Sequence, residues 1–392
     1  MSQQLIARSP DLARLRNEGY DIAIAAGFLI VRDVPYVTPT GTVARGVLLS
    51  QLDAAGDETV TPTTHVVFFA GETPCASDGT PLQQLIISAG KQALGDGLEA
   101  DFQFSHKPAT GYTDFHHKMT AYVNMLASQA NAVDPDATAI TFPVIAEEDP
   151  DSPFEYIDTA TSRAQIGAMN DRLRLRRVAI VGLGGSGSYI LDLVAKTPVG
   201  EIHLYDGDLF LQHNAFRSPG APSREELAEV RRKVDHFARM YSPMRRGVVP
   251  HPVYVDESNV DELREMEFVF IAIDGGDAKR MIVEKLTEFG VDFVDVGMGV
   301  YENDTKLAGL VRTTISTDAR RDHVSARIPF SDGDGRNEYE RNIQIADLNA
   351  LNAALAVIKW KKLNGFYYDF EHEHFSVYGI NDNSLINEDQ DE

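Results

Sequence analysis

The sequence has a single cysteine, Cys75, among 392 residues. One cysteine excludes an intramolecular disulfide and the zinc sites that need two or four thiolates. Basic residues are also scarce, with 36 Lys and Arg against 59 Asp and Glu and a formal net charge of -23. Such a charge repels phosphate backbones, so nucleic acid is a poor candidate partner and any phosphate site must be a local basic exception.

Long apolar runs are missing as well. No run reaches the roughly 18 residues that a membrane-spanning helix needs, and residues 1–19 lack the apolar core of a signal peptide. These absences predict a cytoplasmic protein that has no membrane partner. The composition is otherwise that of an ordinary globular protein, and the length suggests two domains.

Apolar patterning divides the chain into two regions. Short strands and one amphipathic helix are predicted in residues 1–150: Gly27–Val34, Val43–Leu49, His65–Ala70 and the helix Asp114–Ala132. This pattern predicts a smaller α+β domain. An acidic, proline-containing stretch follows, which predicts a linker at 151–160.

From residue 161 onward, strands and helices alternate. The predicted elements are the strands Arg177–Val181, Glu201–Tyr205, Phe268–Ile273, Val291–Val296 and Leu307–Ile315 and the helices Ser188–Lys196 and Asp347–Leu363. The alternation predicts an α/β, Rossmann-like domain with a mainly parallel sheet over 161–380. The acidic residues 381–392 predict a solvated tail.

The most informative segment is a glycine-rich loop between a predicted strand and a predicted helix. Its glycines are Gly182, Gly184, Gly185 and Gly187. Glycines in this pattern allow a tight turn and let the backbone and the helix N-terminus approach a phosphate. Asp206 ends the next strand, where a ribose-binding carboxylate is expected, and Asp208 lies beside it. Taken alone, this pattern fits ATP, NAD and FAD equally.

Polar residues further along the chain favour ATP. Asn214 and Arg217 lie in the loop after the acids, and Lys233 is predicted on the helix that a capping box at Ser223 begins. Asp274 ends another predicted strand. Adenylation needs cations for the phosphates and a carboxylate for Mg²⁺, whereas hydride transfer does not require this set. The sequence therefore predicts a site for ATP and Mg²⁺, with Asp274 as the metal ligand.

The order of these residues resembles the ThiF and ubiquitin-activating-enzyme superfamily. The series is the glycine loop, Asp206, the N-x-x-R motif from Asn214 to Arg217, Lys233 and Asp274, and the resemblance covers Thr161–Lys362, about half of the chain. The resemblance implies an adenylyltransferase that activates the C-terminal carboxylate of a ubiquitin-like or sulfur-carrier protein and releases pyrophosphate. It implies that Asp206 binds the ribose, that Asn214, Arg217 and Lys233 contact phosphates, and that Asp274 positions Mg²⁺. It also implies a homodimer in which Arg163 reaches the ATP of the partner subunit.

The chain departs from this family in one respect. Many relatives hold zinc with cysteine pairs or take the activated tail as a thioester, but no cysteine follows Cys75. Zinc is therefore not expected. The corresponding stretch, Gly309–Arg327, is rich in hydroxyl groups. Either the acyl-adenylate passes directly to a conjugating-type partner, or Ser316 or Thr317 takes the acyl group as an oxyester, which would need a nearby base.

Residues 1–150 are similar to a poorly characterised domain that precedes ThiF modules in some bacterial proteins. The similar segments are His65–Cys75, Phe104–Pro108 and Gly111–Val123. This fusion suggests that the domain recruits the modifier or the next enzyme. Cys75 is interpreted as a structural thiol, with a thioester carrier as the alternative.

Three other functions stay open at this point. An enzyme that adenylates a short peptide would need the same site and differ only in its substrate. A NAD-dependent oxidoreductase would share the glycine loop. A non-catalytic scaffold could bind a modifier, although an intact Arg217, Lys233 and Asp274 argue against that alternative.

Overall fold

The computed structural model describes residues 2–330 and 343–390. The chain divides into two compact units, Met1–Ile145 with Ser162–Gln165 and Ala146–Thr161 with Ile166–Glu392. Within the described residues, no helix is both long enough and apolar enough to cross a bilayer.

Unit 1 is an antiparallel sheet with a long helix. Its strands are β1 (Ile22–Ala25), β2 (Phe28–Val37), β3 (Val43–Gln51), β4 (Ala54–Ala55), β5 (Glu58–Thr59), β6 (Val66–Ala70), β7 (Ile86–Gly95) and β8 (Leu98–Ser105). The six-stranded sheet has the order β1-β2-β3-β6-β8-β7, and β4 and β5 pair separately. The helices are α1 (Ser2–Arg8), α2 (Pro10–Glu18) and α3 (Phe115–Val133).

Helix α3 begins where the sequence predicts it. The Asp114 carboxylate accepts a hydrogen bond from the His117 N–H at 2.7 Å, which satisfies one of the free donors of the first turn. The apolar stripe of α3 then packs on the sheet, so that Phe115, Met119 and Tyr122 are fully buried. The predicted α+β unit is therefore observed, although the sequence pattern did not predict β1, β7 and β8.

Unit 2 contains a sheet of eight strands in the order β11-β10-β9-β12-β13-β14-β15-β16. They are β9 (Arg177–Val181), β10 (Glu201–Tyr205), β11 (Val248–His251), β12 (Phe268–Ile271), β13 (Phe293–Asn303), β14 (Lys306–Ser316), β15 (Glu373–Gly379) and β16 (Ser384–Gln390). Strands β9 to β13 pair with one another in parallel, and β14 to β16 are added antiparallel. This confirms the predicted α/β class.

The chain from residue 159 onward also contains helices. They are α4 (Thr159–Ala164), which spans the unit boundary, α5 (Gly167–Asn170), α6 (Gly185–Val194), α7 (Gln212–Ala215), α8 (Arg224–Ala228), α9 (Lys233–Tyr241), α10 (Asp277–Phe289), α11 (Val324–Arg327) and α12 (Ala346–Leu363). Short 3₁₀ turns occur at Asp171–Leu173 and Val260–Glu265. Helices α6, α9 and α12 pack on one face around Trp360, and α10 packs on the other.

The structure differs in detail from three predictions of local structure. The capping box at Ser223 begins α8, and Lys233 is the first residue of the next helix, α9. The predicted tail at 381–392 contains strand β16, because Ser384–Gln390 pair with β15; residues 391 and 392 lie outside the described part. The predicted linker at 151–160 is fastened to unit 2, since the Glu155 N–H donates to Met244.

Candidate functional site

A cavity of about 630 Å³ lies in unit 2 at the carboxyl ends of the parallel strands. Small-molecule sites commonly have volumes of roughly 300–1,000 Å³, and in open α/β sheets they lie at this edge. Predicted site residues line it: Gly182, Gly184, Gly185, Asp206, Asp208, Arg217, Lys233 and Asp274. The chain thus brings together residues that are up to 92 positions apart, from Gly182 to Asp274.

The glycine loop crosses directly from β9 into α6. The Gly182 N–H donates to the Tyr205 carbonyl at 2.8 Å, and its positive φ of 90° favours glycine. A Cβ on Gly187 would lie 1.9 Å from the Gly182 carbonyl oxygen, so only glycine lets the first turn of the helix approach the loop. At Gly184, by contrast, a Cβ would meet nothing closer than 3.9 Å among the described atoms, which leaves room for a ligand.

Asp206 is held in place by the loop itself. Its carboxylate accepts hydrogen bonds from the Leu183 N–H at 2.7 Å and from the Asp208 N–H at 2.8 Å. The Lys233 ammonium lies 3.3 Å from Asp206 and 2.7 Å from Asp208, and its bond to Asp208 lowers the pKa of that carboxyl. Taken together, these two carboxylates and one ammonium carry a net charge of -1.

Tyr254 was not predicted as a site residue. Its hydroxyl donates to the Asp208 carboxylate, which raises the pKa of the phenol, and its ring lies over Gly207. A Cβ on Gly207 would come within 2.7 Å of that ring. Tyr254 therefore covers the turn that carries both acids. It lies in a loop far from the acids in sequence, and no motif pointed to it.

Arg217 also lines the cavity. Its Nε–H is buried and has no hydrogen-bond partner among residues 2–330 and 343–390. A buried donor without a partner costs roughly 1–3 kcal/mol, so such a group is commonly satisfied by a ligand or water. This donor can therefore contact an anion that enters the cavity.

Asn214 has a different position from the one predicted. It does not line the cavity, and its amide oxygen accepts the Leu211 N–H at 2.9 Å. Its carbonyl accepts the Arg217 N–H at 3.1 Å and the Ser218 hydroxyl at 2.8 Å. Asn214 thus fixes the turn that presents Arg217, and the structure gives no support for direct contact of Asn214 with phosphate.

The other wall of the cavity carries buried polar residues that the sequence analysis missed: Lys279, Arg312, Asn349 and Asn352, with Asp295 behind them. Asn349 and Asn352 lie three positions apart on α12 and are both 1% exposed. Two asparagines on the buried stripe of a helix were a signal that the apolar pattern did not use. The Ser186 hydroxyl donates to Asn349 at 3.1 Å, which ties α12 to the glycine loop.

Ser316 and Thr317 do not lie at the cavity. Ser316 pairs with Phe293 at the start of β13, whereas the cavity residue Arg312 pairs with Gly297 four positions further along. Four residues of a strand span about 14 Å. Ser316 accepts a bond from Arg321, and the Thr317 hydroxyl is bonded to the buried His374 imidazole at 3.0 Å. The structure therefore does not support the predicted oxyester at these hydroxyls.

Two further predicted residues belong to unit 1. Arg163 is exposed in α4, and its contact with the ATP of a partner stays a prediction. Cys75 is 1% exposed, and burial raises the pKa of its thiol. A buried thiol with a raised pKa is a poor nucleophile, which supports the structural interpretation.

Metal binding depends on Asp274 alone among the predicted residues. Within the described ranges, no group of three or more His, Cys, Asp or Glu side chains could hold a metal ion. Mg²⁺ commonly uses one or two protein carboxylates and takes its other ligands from phosphates and water. A single carboxylate in the cavity that the glycine loop lines is therefore compatible with Mg²⁺ that would arrive with a nucleotide.

Comparison with known families agrees with this geometry. The ThiF family matches residues 160–317, and a domain of unknown function, DUF6791, matches residues 10–159. The ThiF match confirms the family resemblance predicted from the sequence, over residues 160–317. A comparison with curated proteins finds no match.

Solved structures with a similar fold include PaaA, at 18% identity and a TM-score of 0.45 over 56% of this chain and 66% of PaaA. MccB of E. coli with succinimide is 15% identical, with a TM-score of 0.44 over 57% of this chain and 66% of MccB. The microcin C7 biosynthetic enzyme MccB in complex with N-formylated MccA is 15% identical, with a TM-score of 0.44 over 57% of this chain and 67% of MccB. The chain thus spans just under two thirds of the PaaA chain, and likeness at this level does not indicate a shared substrate.

Proposed function

Because residues 160–317 form a ThiF family domain, we propose that this protein binds ATP in the cavity of unit 2 and adenylates the C-terminal carboxylate of a protein or peptide. The reaction joins a carboxylate oxygen to the α-phosphorus of ATP and releases pyrophosphate. One observation carries the proposal: Asp206, Arg217 and Lys233 line a single cavity with the glycine loop.

In this proposal, different residues contact different parts of the nucleotide. Asp206, fixed by the Leu183 N–H, would accept hydrogen bonds from the ribose hydroxyls. The glycine loop and the N-terminus of α6 offer N–H groups to the phosphates. Arg217 has an unused buried N–H, and Lys233 has a third N–H beyond its two carboxylate contacts. Both cations would stabilise the charge that develops as pyrophosphate leaves.

Asp274 is the candidate carboxylate for Mg²⁺, because it lines the same cavity just after β12. When bound, Mg²⁺ neutralises phosphate charge and holds the leaving group in place. The role of Asp274 is to fix that charge near the loop.

For the substrate, we propose a small ubiquitin-like or sulfur-carrier protein with a free C-terminal tail. The family resemblance supports this choice, and a homodimer and a conjugating-type partner rest on the same ground. The acyl-adenylate would pass directly to that partner, since Ser316 and Thr317 lie away from the cavity. Unit 1 would recruit the modifier or the partner.

ATP–pyrophosphate exchange tests the proposal. Small proteins with free C-termini encoded beside the gene are supplied one at a time, and exchange of labelled pyrophosphate into ATP is measured. We expect one of them to support exchange and Asp274→Ala to abolish it. Asp277→Ala is the matched control, because Asp277 is exposed at the start of α10, three residues from Asp274, and does not line the cavity.

Two results would contradict the proposal. Failure of the wild-type protein to bind ATP would remove the nucleotide site altogether. Full exchange by Asp274→Ala would show that the metal assignment is wrong, even if the reaction is correct.

A further inference from the structure

The cavity has a second cationic group at a distance from Arg217 and Lys233 in sequence. Lys279 and Arg312 both line the cavity, and both contact Asp295, which is completely buried. The Lys279 ammonium forms an ion pair with Asp295 Oδ1 at 2.8 Å, and Arg312 Nη2 donates to Oδ2 at 2.6 Å. Two cations and one carboxylate give this group a net charge of +1, in a chain whose net charge is -23.

Arg312 is held rigidly but is not saturated. Its Nη1 donates to the Thr314 hydroxyl at 2.6 Å and to the Arg327 carbonyl at 3.0 Å, in addition to the bond from Nη2 to Asp295. A guanidinium has five N–H donors. Three bonds therefore leave two donors for a ligand, in a side chain that lines the cavity and is 8% exposed.

Gly297 allows this arrangement. A Cβ at this position would lie 2.6 Å from Arg312 Nη2, so any other residue would push the guanidinium away from Asp295. Glycine here lets the arginine lie flat across the backbone of β13. We call Lys279, Asp295, Gly297, Arg312 and Asn352 the Gly297 cradle.

Asn352 supplies the opposite chemistry in the same cradle. Its Nδ2 donates to the Gly297 carbonyl at 3.1 Å and lies 3.5 Å from the Ser186 hydroxyl, which fixes the orientation of the amide. Its Oδ1 is buried and has no partner among residues 2–330 and 343–390. Asn352 is 1% exposed and lines the cavity. A buried acceptor fixed in this way is commonly satisfied by a donor from a ligand or from ordered water.

These two features together identify the ligand. A phosphate or pyrophosphate has acceptor oxygens only, so it would meet the cations but repel the Asn352 oxygen. The last residue of a peptide has a carboxylate and, two bonds from the carboxyl carbon, an N–H. We infer that the Gly297 cradle binds this residue, with its carboxylate at Arg312 and Lys279 and its N–H at Asn352 Oδ1.

This assignment rests on the proposed function and deepens it, because it separates the carboxylate subsite from the phosphate subsite. Ser186 lies in the glycine loop and within reach of Asn352, so the cradle adjoins the loop that would hold the phosphates. Held there, a carboxylate oxygen forms its bond to the α-phosphorus as the bond from phosphorus to pyrophosphate breaks. The carboxylate is already ionised, so no proton needs a base.

The cradle can be tested without turnover and without the natural substrate. The probes are N-acetyl-glycyl-glycine and its C-terminal amide, titrated by NMR into the full chain saturated with α,β-methylene ATP. This analogue cannot transfer its adenylyl group to a carboxylate, because a methylene group replaces the oxygen that would leave with pyrophosphate. We expect the wild type to bind the acid at least 10-fold more tightly than the amide. Arg312→Gln should reduce that preference to less than 3-fold. Asn352→Leu should weaken both probes to a similar extent, by about 5-fold or more, because both retain the N–H.

Matched variants keep the test decisive. Arg312→Lys retains one charge beside Asp295 and should give an intermediate preference, and Asn352→Leu leaves the ion pairs intact. If Arg312→Gln fails to fold, as judged by the fluorescence of the single tryptophan, Trp360, these two variants carry the test. A wild type that does not distinguish acid from amide overturns the inference. So does an Arg312→Gln protein that keeps the preference for the acid but loses 10-fold in pyrophosphate affinity.

The outcomes also separate the cradle from the reaction. Selective binding of the acid without any ATP–pyrophosphate exchange would contradict the proposed function and leave the cradle in place. ATP–pyrophosphate exchange by the wild type, together with an unchanged preference for the acid over the amide in all three variants, would contradict the cradle and leave the proposed function in place.

Discussion

Both units contain buried lysines, but the groups around these lysines differ. The difference distinguishes a lysine that stabilises the fold from lysines that we propose contact a ligand. In unit 1, Lys118 is fully buried and donates to the Ser50 hydroxyl and the Thr64 carbonyl, each at 2.8 Å. In unit 2, Lys233 and Lys279 contact carboxylates and line a cavity. Lys118 ties α3 to the sheet of unit 1, whereas the lysines of unit 2 are the ones that would contact an anion in the function proposed above.

The strongest test of this contrast is activity. Lys233→Ala should reduce ATP–pyrophosphate exchange by roughly 100- to 1,000-fold, the usual loss when one group that stabilises developing charge is removed. Lys118→Met should leave exchange within about 2-fold of the wild type, because its ammonium bonds only to unit 1. Equal losses in the two variants would break the distinction.

Buried charge that serves stability alone also occurs in unit 2. The guanidinium of Arg245 is 1% exposed, donates to the carbonyls of Ala195, Thr197, Val199 and Gly200 after α6, and has its pKa lowered by burial to about 10. Arg245→Met would leave these buried acceptors without a donor, which should cost about 2–4 kcal/mol. Denaturation followed by Trp360 fluorescence measures this loss, since Trp360 lies in the core of unit 2. A shift below about 0.5 kcal/mol would mean that water replaces the guanidinium.

The pH dependence of stability sharpens the comparison in unit 1. Burial lowers the pKa of Lys118 to about 8, from 10.5. Between pH 8 and 10.5 the unfolded chain therefore holds the proton and the folded chain releases it, so unfolding becomes less favourable as the pH rises. The free energy of unfolding of the wild type should rise relative to Lys118→Met by up to about 3 kcal/mol across this window. Circular dichroism during urea denaturation at pH 7, 8, 9 and 10 measures it, and parallel curves would contradict it.

Cys75 should give the smallest effect. Cys75→Ala removes a buried thiol that donates weakly to the Thr73 carbonyl at 3.4 Å, so a loss of about 1 kcal/mol is expected. Exchange and transfer to an acceptor should not change. A variant that still activated its substrate but could no longer transfer it would instead restore the thioester alternative.

Sequence reasoning predicted the parallel half of unit 2 best. Strands β9 and β10 have the predicted bounds, because both are short apolar runs bounded by charged residues or glycine. The glycine loop and Asp206 were found from local spacing alone. In these cases each residue is specified by its neighbours in sequence.

Predictions that needed distant contacts were less accurate. The acidic residues of β16 looked solvated, yet Glu388 and Asp389 pair with Arg327, some sixty positions earlier. Asn214 fits the family pattern, but its amide is used by Leu211. Arg312 was missed because a cation in an apolar strand is explained only by Asp295, seventeen residues away on β13. Pairing partners of this kind cannot be obtained from periodicity.

The position of β16 has a practical consequence for handling the protein. Strand β16 covers one edge of β15 and carries the exposed side chains of Leu385 and Ile386. Shortening the chain before Ser384 would uncover β15, and an uncovered strand edge invites self-association into insoluble material. An affinity handle is therefore better added after the last residue than in place of the acidic end, which its composition alone would have marked as dispensable.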